Sequence, residues 1–394
     1  MKKILLTILT MLTLFTTNIT IETCLADNFA KTAIFEDEDK EGYTPGTDAG
    51  YFTNDTSALR ELTVKTNGDS WYVSPLVQVP VVPVYAAFRT TDIVTVGSGK
   101  GELIVKFDHP VMNDPFNPYG VDFLIFGNAF QSINEGSWPT GNPSLVTLGW
   151  EGWAERGWVE VSQDGKTWTP FSAGPYADDF APTLGQCYDP VNPDPSLGAW
   201  NLWWGSPTDP TLPLPPSLSF ERFQGKTLKT VAEVYGQSAG GTGFDLSDVG
   251  LDWIQYVRIT ASPDGGTPEI DAIVAVAPRV PGDANLDGVV DVGDLGILAA
   301  NYGSDLAGWN MGDFTGDGCV DVGDLGVLAA NYGHGVNHRI DFSTDHAKVF
   351  GTAQTVDDSH TPFNETQNGM CSIPGLPILV TFFVAGLMLM KLDT

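Results

Sequence analysis

Two near-copies of one acidic loop recur thirty residues apart, DANLDGVVDVGD (Asp283–Asp294) and DFTGDGCVDVGD (Asp313–Asp324). Each runs into the same apolar tail, LGILAANYG or LGVLAANYG, and 16 of 21 positions are identical between Asp283–Gly303 and Asp313–Gly333. From Pro281 to Gly335 there are nine Asp and no Lys, Arg or Glu. Four carboxylates drawn into one short loop repel each other, and here no basic side chain stands by to offset them. The repeat therefore folds around a cation or stays open.

The oxygens are spaced for one cation in particular. Calcium takes six to eight oxygen ligands, which a twelve-residue loop supplies from positions 1, 3, 5, 7, 9 and 12. In the first loop these are Asp283, Asn285, Asp287, the Val289 carbonyl, Asp291 and Asp294; in the second, Asp313, Thr315, Asp317, the Cys319 carbonyl, Asp321 and Asp324. Gly288 and Gly318 occupy position 6, where the chain turns sharply, and Val290 and Val320 at position 8 are placed to pack the loops together. Two calcium ions are thus the expected cofactor, and the metal-free repeat should be loose. The match to a helix–loop–helix hand is incomplete. Position 12 is Asp rather than Glu, and Pro278, Pro281 and Gly282 rule out an entry helix before the first loop. Only exit helices are marked, by Leu295, Leu298, Ala299 and Tyr302 before Gly303, and by Leu325, Leu328, Ala329, Tyr332 before Gly333.

A duplicated loop-plus-helix with Asp at position 12 resembles the type I dockerin, over residues 281–335. The resemblance implies two calcium ions folding a helix pair that binds a cohesin domain on another protein. Loop positions 10 and 11 of a dockerin help choose the cohesin; here they are Val292–Gly293 and Val322–Gly323, in place of the usual hydroxyl pair. With Leu295, Leu298, Leu325 and Leu328, these are the partner-binding candidates. Thr315 at position 3 implies a weaker second site.

A formal charge of −30 and a pI near 4.1 exclude nucleic acid as a partner. Residues 1–26 read as a bacterial-type secretion signal: Lys2 and Lys3, an apolar run from Ile4 to Phe15, then cleavage after Ala26. Residues 373–391 form a hydrophobic stretch long enough to anchor the chain in a membrane, and resemble the short C-terminal sorting tails of bacterial surface proteins. The polar segment 336–372 reads as a linker. The expected location is secreted or cell-surface. The four cysteines (Cys24, Cys187, Cys319, Cys371) have no metal spacing and suggest no pairing.

Residues 27–280 read as an all-β domain. Short β-branched or aromatic runs bounded by Gly, Pro, Asn and Asp fall at Ile93–Val96, Gly101–Phe107, Val121–Phe126, Gly157–Ser162, Trp168–Phe171, Gln255–Ile259 and Ala272–Ala277, and Asp164–Gly165 signals a tight hairpin. The phrases GKGELIVKFDHPV, GVDFLIFGNAF, WVEVSQDGKTWTPF, GGTGFDLSDVGL and EIDAIVAV resemble secreted bacterial surface domains with a galactose-binding-like jelly roll. The fold expected for the whole chain is a jelly-roll-like β-sandwich, then a small α-helical dockerin-like module and a C-terminal hydrophobic helix. Domains of this kind mostly bind sugars or proteins, or are structural. A Pro-, Asp- and Trp-rich insertion between Gly174 and Pro216 departs from the resemblance; its Trp200, Trp203 and Trp204 are candidate sugar contacts, or else pin the loop to the sandwich.

Catalysis is the weaker expectation, and no catalytic residue is assigned. A glycosidase needs two positioned carboxylates; Glu151, Glu155, Glu160, Glu269 and Asp271 are available, with Glu160 expected to face solvent. The five histidines show no zinc spacing. The function favoured by the sequence is a calcium-binding surface protein that docks to a cohesin-like domain. The alternatives are a carbohydrate-binding or O-glycosyl hydrolase component of a polysaccharide-processing complex, and a structural surface protein with a calcium-stiffened spacer.

Overall fold

A computed structural model describes residues 28–31, 43–50, 52–67, 78–87, 91–136, 141–200, 202–262 and 266–351. The secretion signal at 1–26 and the hydrophobic stretch at 373–391 lie outside these residues. Among the described residues no helix is long and apolar enough to cross a membrane. The chain divides into two compact units: one reaches Leu214 and resumes over Ser219–Arg279, and the other holds Pro215–Leu218 and everything from Val280.

The first unit is mainly β and antiparallel. One sheet orders its strands Tyr43–Thr44, Glu102–Met112, Trp253–Ala261, Gly157–Ser162 and Thr169–Pro170. A second orders Thr242–Phe244, Phe123–Gly127, Glu269–Ala275 and Val94–Thr95. Alternation sets which face is buried: in Gly157–Ser162, Val159 and Val161 turn inward while Trp158 and Glu160 stay half-exposed. Val105, Phe107, Val161 and Val257 from the first sheet share one core with Phe123, Ile125, Ile273 and Phe244 from the second. At its centre Phe123 stacks on Phe244, centroids 4.8 Å apart, and Phe171 meets both edge-on. This agrees with the sandwich expectation. The hairpin signal also holds: Asp164 accepts from the Lys166 and Thr167 amides at 2.8 Å, Gly165 takes φ 71°, and the flanking strands pair.

A short helix, Leu228–Tyr235, was not expected; Leu228, Val231, Ala232 and Tyr235 form its buried stripe, and Thr227 caps it. A two-stranded hairpin of Phe130–Glu135 and Thr147–Trp153 forms a further small sheet.

The second unit carries helices at Val292–Asn301, Val322–Asn331 and Phe342–Phe350. The third falls where a polar linker was expected. Its Asp341 caps the Ser343 and Thr344 amides, and its aromatic side meets the tyrosines that end the other two: Phe342 against Tyr332, and Phe350 against Tyr302.

Candidate functional site

The two acidic loops fold alike, differing at the position-3 side chain and in one amide bound at position 1. Asp283 accepts from the Asp287 amide (3.1 Å) and the Gly288 amide (2.8 Å), and Asp313 accepts from the Gly316 and Gly318 amides, both at 2.8 Å. Position 12 closes each loop. Asp294 accepts from the Ala284 and Asp291 amides at 2.9 Å, and Asp324 from those of Phe314 and Asp321, also at 2.9 Å. Asp291 and Asp321 at position 9 cap their exit helices through Gly293 (2.7 Å) and Gly323 (2.6 Å), each in a reciprocal capping box with position 12. Asp287 and Asp317 hold the Val289 and Cys319 amides at 2.9 Å, and Asn285 reaches Asp287 at 3.0 Å. Thr315 in the second loop turns its hydroxyl to Asp313 at 3.4 Å.

The repeats interlock crosswise. Val290 exchanges backbone hydrogen bonds with Gly333 and His334, beyond the second exit helix; Val320 does the same with Gly303 and Ser304, beyond the first. Val290 and Val320 are fully buried, and the backbone of each is tied to the other repeat's helix end. Gly312 lies so close to Leu298, and Gly282 to Leu328, that a Cβ would sit 3.0 Å from the leucine Cα in each pair.

Burial sets the electrostatics. Asp283, Asp294, Asp313 and Asp324 are all buried. Desolvation pushes each carboxyl above its usual range, Asp313 to about 7, and like charges add to it: Asp287 on Asp283, Asp283 on Asp294, Asp324 and Asp317 on Asp313. Positions 1, 5 and 12 thus lie near enough to repel. Among the described residues no three His, Cys, Asp or Glu side chains converge in a metal-holding group; the loop aspartates accept from backbone amides. The donor set itself, carboxylate, amide and carbonyl oxygens without nitrogen or thiolate, suits a hard cation such as calcium.

The partner-binding candidates separate by burial. Val292, Gly293, Val322 and Gly323 are exposed and Leu325 is half-buried. Leu295, Leu298 and Leu328 are fully buried and form the repeat's own core, which corrects their assignment as a contact surface. Cys319 is disulfide-bonded, a pairing the spacing did not suggest, and Cys187 is free.

The sugar-contact candidates need a similar correction. Trp204 is fully buried against Tyr188, its ring edge-on at 6.1 Å, because its strand pairs with Gln186–Tyr188 inside the insertion. Trp203 is half-buried, and the Trp200 side chain lies outside the described residues. Among the described residues the exposed indoles are instead Trp150 and Trp153, which sequence reasoning passed over. Nothing beside them in the sequence marks them as exposed.

The head carboxylates are also sorted. Glu160 does not simply face solvent: Arg258 pairs with it at 2.6 Å while lying over Trp168. Asp271 is buried beneath Thr63, whose amide and hydroxyl donate to it at 3.0 and 2.8 Å; burial raises it to about 7. Glu151 is exposed. Glu155 and Glu269 hydrogen-bond to each other, and burial followed by the Glu155 charge lifts Glu269 to about 7. Asp178, Asp179, Asp189 and Asp194 of the insertion each have a separate partner: the Ala129 and Glu269 amides, Arg156, the Asn192 amide, and Lys65. No family model, curated protein or solved structure matches this chain.

Proposed function

We propose that the second unit is a calcium-dependent docking module of dockerin type. It would be carried by a jelly-roll-like β-sandwich head on a secreted, cell-surface protein held at the membrane by residues 373–391. The observation that carries this reading is the pair of buried carboxylates at positions 1 and 12 of both loops, crowded by like charge in a repeat with no basic residue. A divalent cation removes that repulsion. Asp283, Asn285, Asp287, Val289, Asp291 and Asp294 would hold one ion, and Asp313, Thr315, Cys319 and Asp317 with Asp321 and Asp324 the other. Calcium supplies charge neutralisation and oxygen coordination, which fix the loops and, through the position-9 caps, the start of each exit helix. The surface offered to a cohesin-like partner is Val292–Gly293 and Val322–Gly323, exposed at equivalent places in the two repeats.

The test is a calcium titration of the full chain, followed by far-UV circular dichroism and then by capture on immobilised cohesins. Helical signal should grow with calcium, fall on chelation, and fail to grow in the Asp283→Asn/Asp313→Asn variant. No change in helicity would sink the calcium reading. A calcium response without cohesin capture would sink the docking reading alone.

A further inference from the structure

The hairpin of Phe130–Glu135 and Thr147–Trp153 keeps large apolar side chains in water. Trp150 is 77% exposed and Trp153 57% exposed, while Trp204 of the same unit is wholly buried. An indole left in solvent forgoes the burial that folding otherwise gives it, so two within four residues mark a surface with a use. The hairpin is not loose. Gly152 lies so close to the Phe220 ring that a Cβ would sit 2.3 Å from it, and Gln131 donates to the Gly149 and Phe220 carbonyls at 2.9 Å. Trp153 is further held by Phe130, its ring 20° from parallel and 6.3 Å away. The indole face is therefore pre-positioned.

Polar groups converge beside it. Phe130 and Trp153 are register partners. Two residues back from Phe130 is Asn128, and two on from Trp153 is Glu155, each at most about 7 Å along an extended chain. Both hydrogen-bond to Glu269, to which Thr95 also donates at 3.3 Å, and Thr267 donates to Glu155 at 3.1 Å. Carboxyl oxygens accept hydrogen bonds from sugar hydroxyls, and an amide group can donate to them. An apolar face edged by such groups matches a pyranose, which has a C–H face and a hydroxyl rim. Charge narrows the choice. The chain carries −30, and the nearby Arg156 is committed to Asp179 at 2.6 Å. Anionic glycans and anionic bilayers are repelled.

We propose that this hairpin binds neutral polysaccharide, with a sugar ring stacked on Trp153 and its hydroxyls held by Asn128 and Glu155. The test is native affinity electrophoresis of the full chain in gels containing soluble neutral glucan, xylan or mannan, with polygalacturonate as the anionic control. Retardation is expected on at least one neutral gel, weakened roughly tenfold or more by Trp153→Ala and several-fold by Glu155→Gln, with Trp203→Ala unchanged. The proposal falls if no neutral gel retards the protein, if Trp153→Ala binds as wild type, or if polygalacturonate alone binds. Self-association in sedimentation that Trp153→Ala abolishes would also overturn it, in favour of a contact between copies. Should Trp153→Ala fail to fold, glycan protection of the wild-type indoles from N-bromosuccinimide decides the matter, since an unprotected Trp153 contradicts the stacking.

Discussion

In the β-rich unit the buried side chains at the centre are Phe123, Phe244 and Phe171, locked by ring packing between two sheets. In the repeat module the buried set includes four aspartates beside Leu295, Leu298 and Leu328. The first core is stable in proportion to the apolar area it hides from water. The second hides charge, and closes only as far as that charge is satisfied. A domain of the first kind folds on its own account, and the proposed calcium sites would link the folding of the second to a cation. Under the calcium proposal the two units of one chain answer to different variables, packing in one and calcium concentration in the other.

That contrast can be broken at three points. The largest effect is expected from Phe123→Ala. Removing a fully buried ring from the stack should lower the stability of the head by about 3–5 kcal/mol, measured by denaturant unfolding followed through aromatic signals. The helical response to calcium should be untouched; a lost response would show that the units are not energetically distinct.

A buried charge also sits in the head, and there the contrast sharpens. Asp271 is raised from 3.8 to about 7 by burial, so between those values the folded state binds the proton more than the unfolded one does. Stability falls wherever the folded state binds more protons as pH rises, so this residue costs the head stability as pH climbs from about 4 to about 7. Asp271→Asn keeps an acceptor for the Thr63 amide and should flatten that slope, gaining on the order of 3 kcal/mol at pH 8. Glu269 titrates in the same direction and leaves a residual slope. Thermal melts across pH 4–8 measure the effect, and parallel curves for the two proteins would refute it. Calcium should not alter it, unlike the loop aspartates.

The smallest effect separates the two loops. Thr315→Asp restores a carboxylate at position 3 of the second loop and should tighten calcium binding there several-fold, or about 1 kcal/mol. Calorimetric titration of the full chain should show one class of site shifting and the other fixed. Equal movement of both sites, or of neither, would mean that the Asp313–Thr315 hydroxyl contact already compensates.

Much of the architecture was legible. The Gly157–Ser162 strand and the Asp164–Gly165 turn were written in alternation and turn chemistry, and the exit helices in the apolar spacing after each loop. What escaped was signal of the same local kind placed against a dominant context. The Leu228–Tyr235 stripe is only two turns long and lies among strands and loops. Phe342–Phe350 is a polar helix with no buried residue, organised by its contacts to Tyr302 and Tyr332. The tryptophans show the limit most plainly. Trp150, Trp153 and Trp204 are the same residue type in short strands, and nothing near them in sequence says which is buried.

By itself, then, the sequence determined the chemistry of the repeat: which oxygens, at which intervals, with no basic residue to offset them. Spacing within twelve residues is local, and one chain segment contains it. Only the tertiary structure decided which groups are deprived of water. It buried Leu295, Leu298 and Leu328 rather than presenting them, took Trp204 into the insertion while leaving Trp150 and Trp153 outside, and brought Glu155 to Glu269 across more than a hundred residues of chain. Desolvation depends on neighbours from distant segments, and it turned a list of polar and aromatic residues into a pair of loops with buried carboxylates and a candidate sugar-binding face.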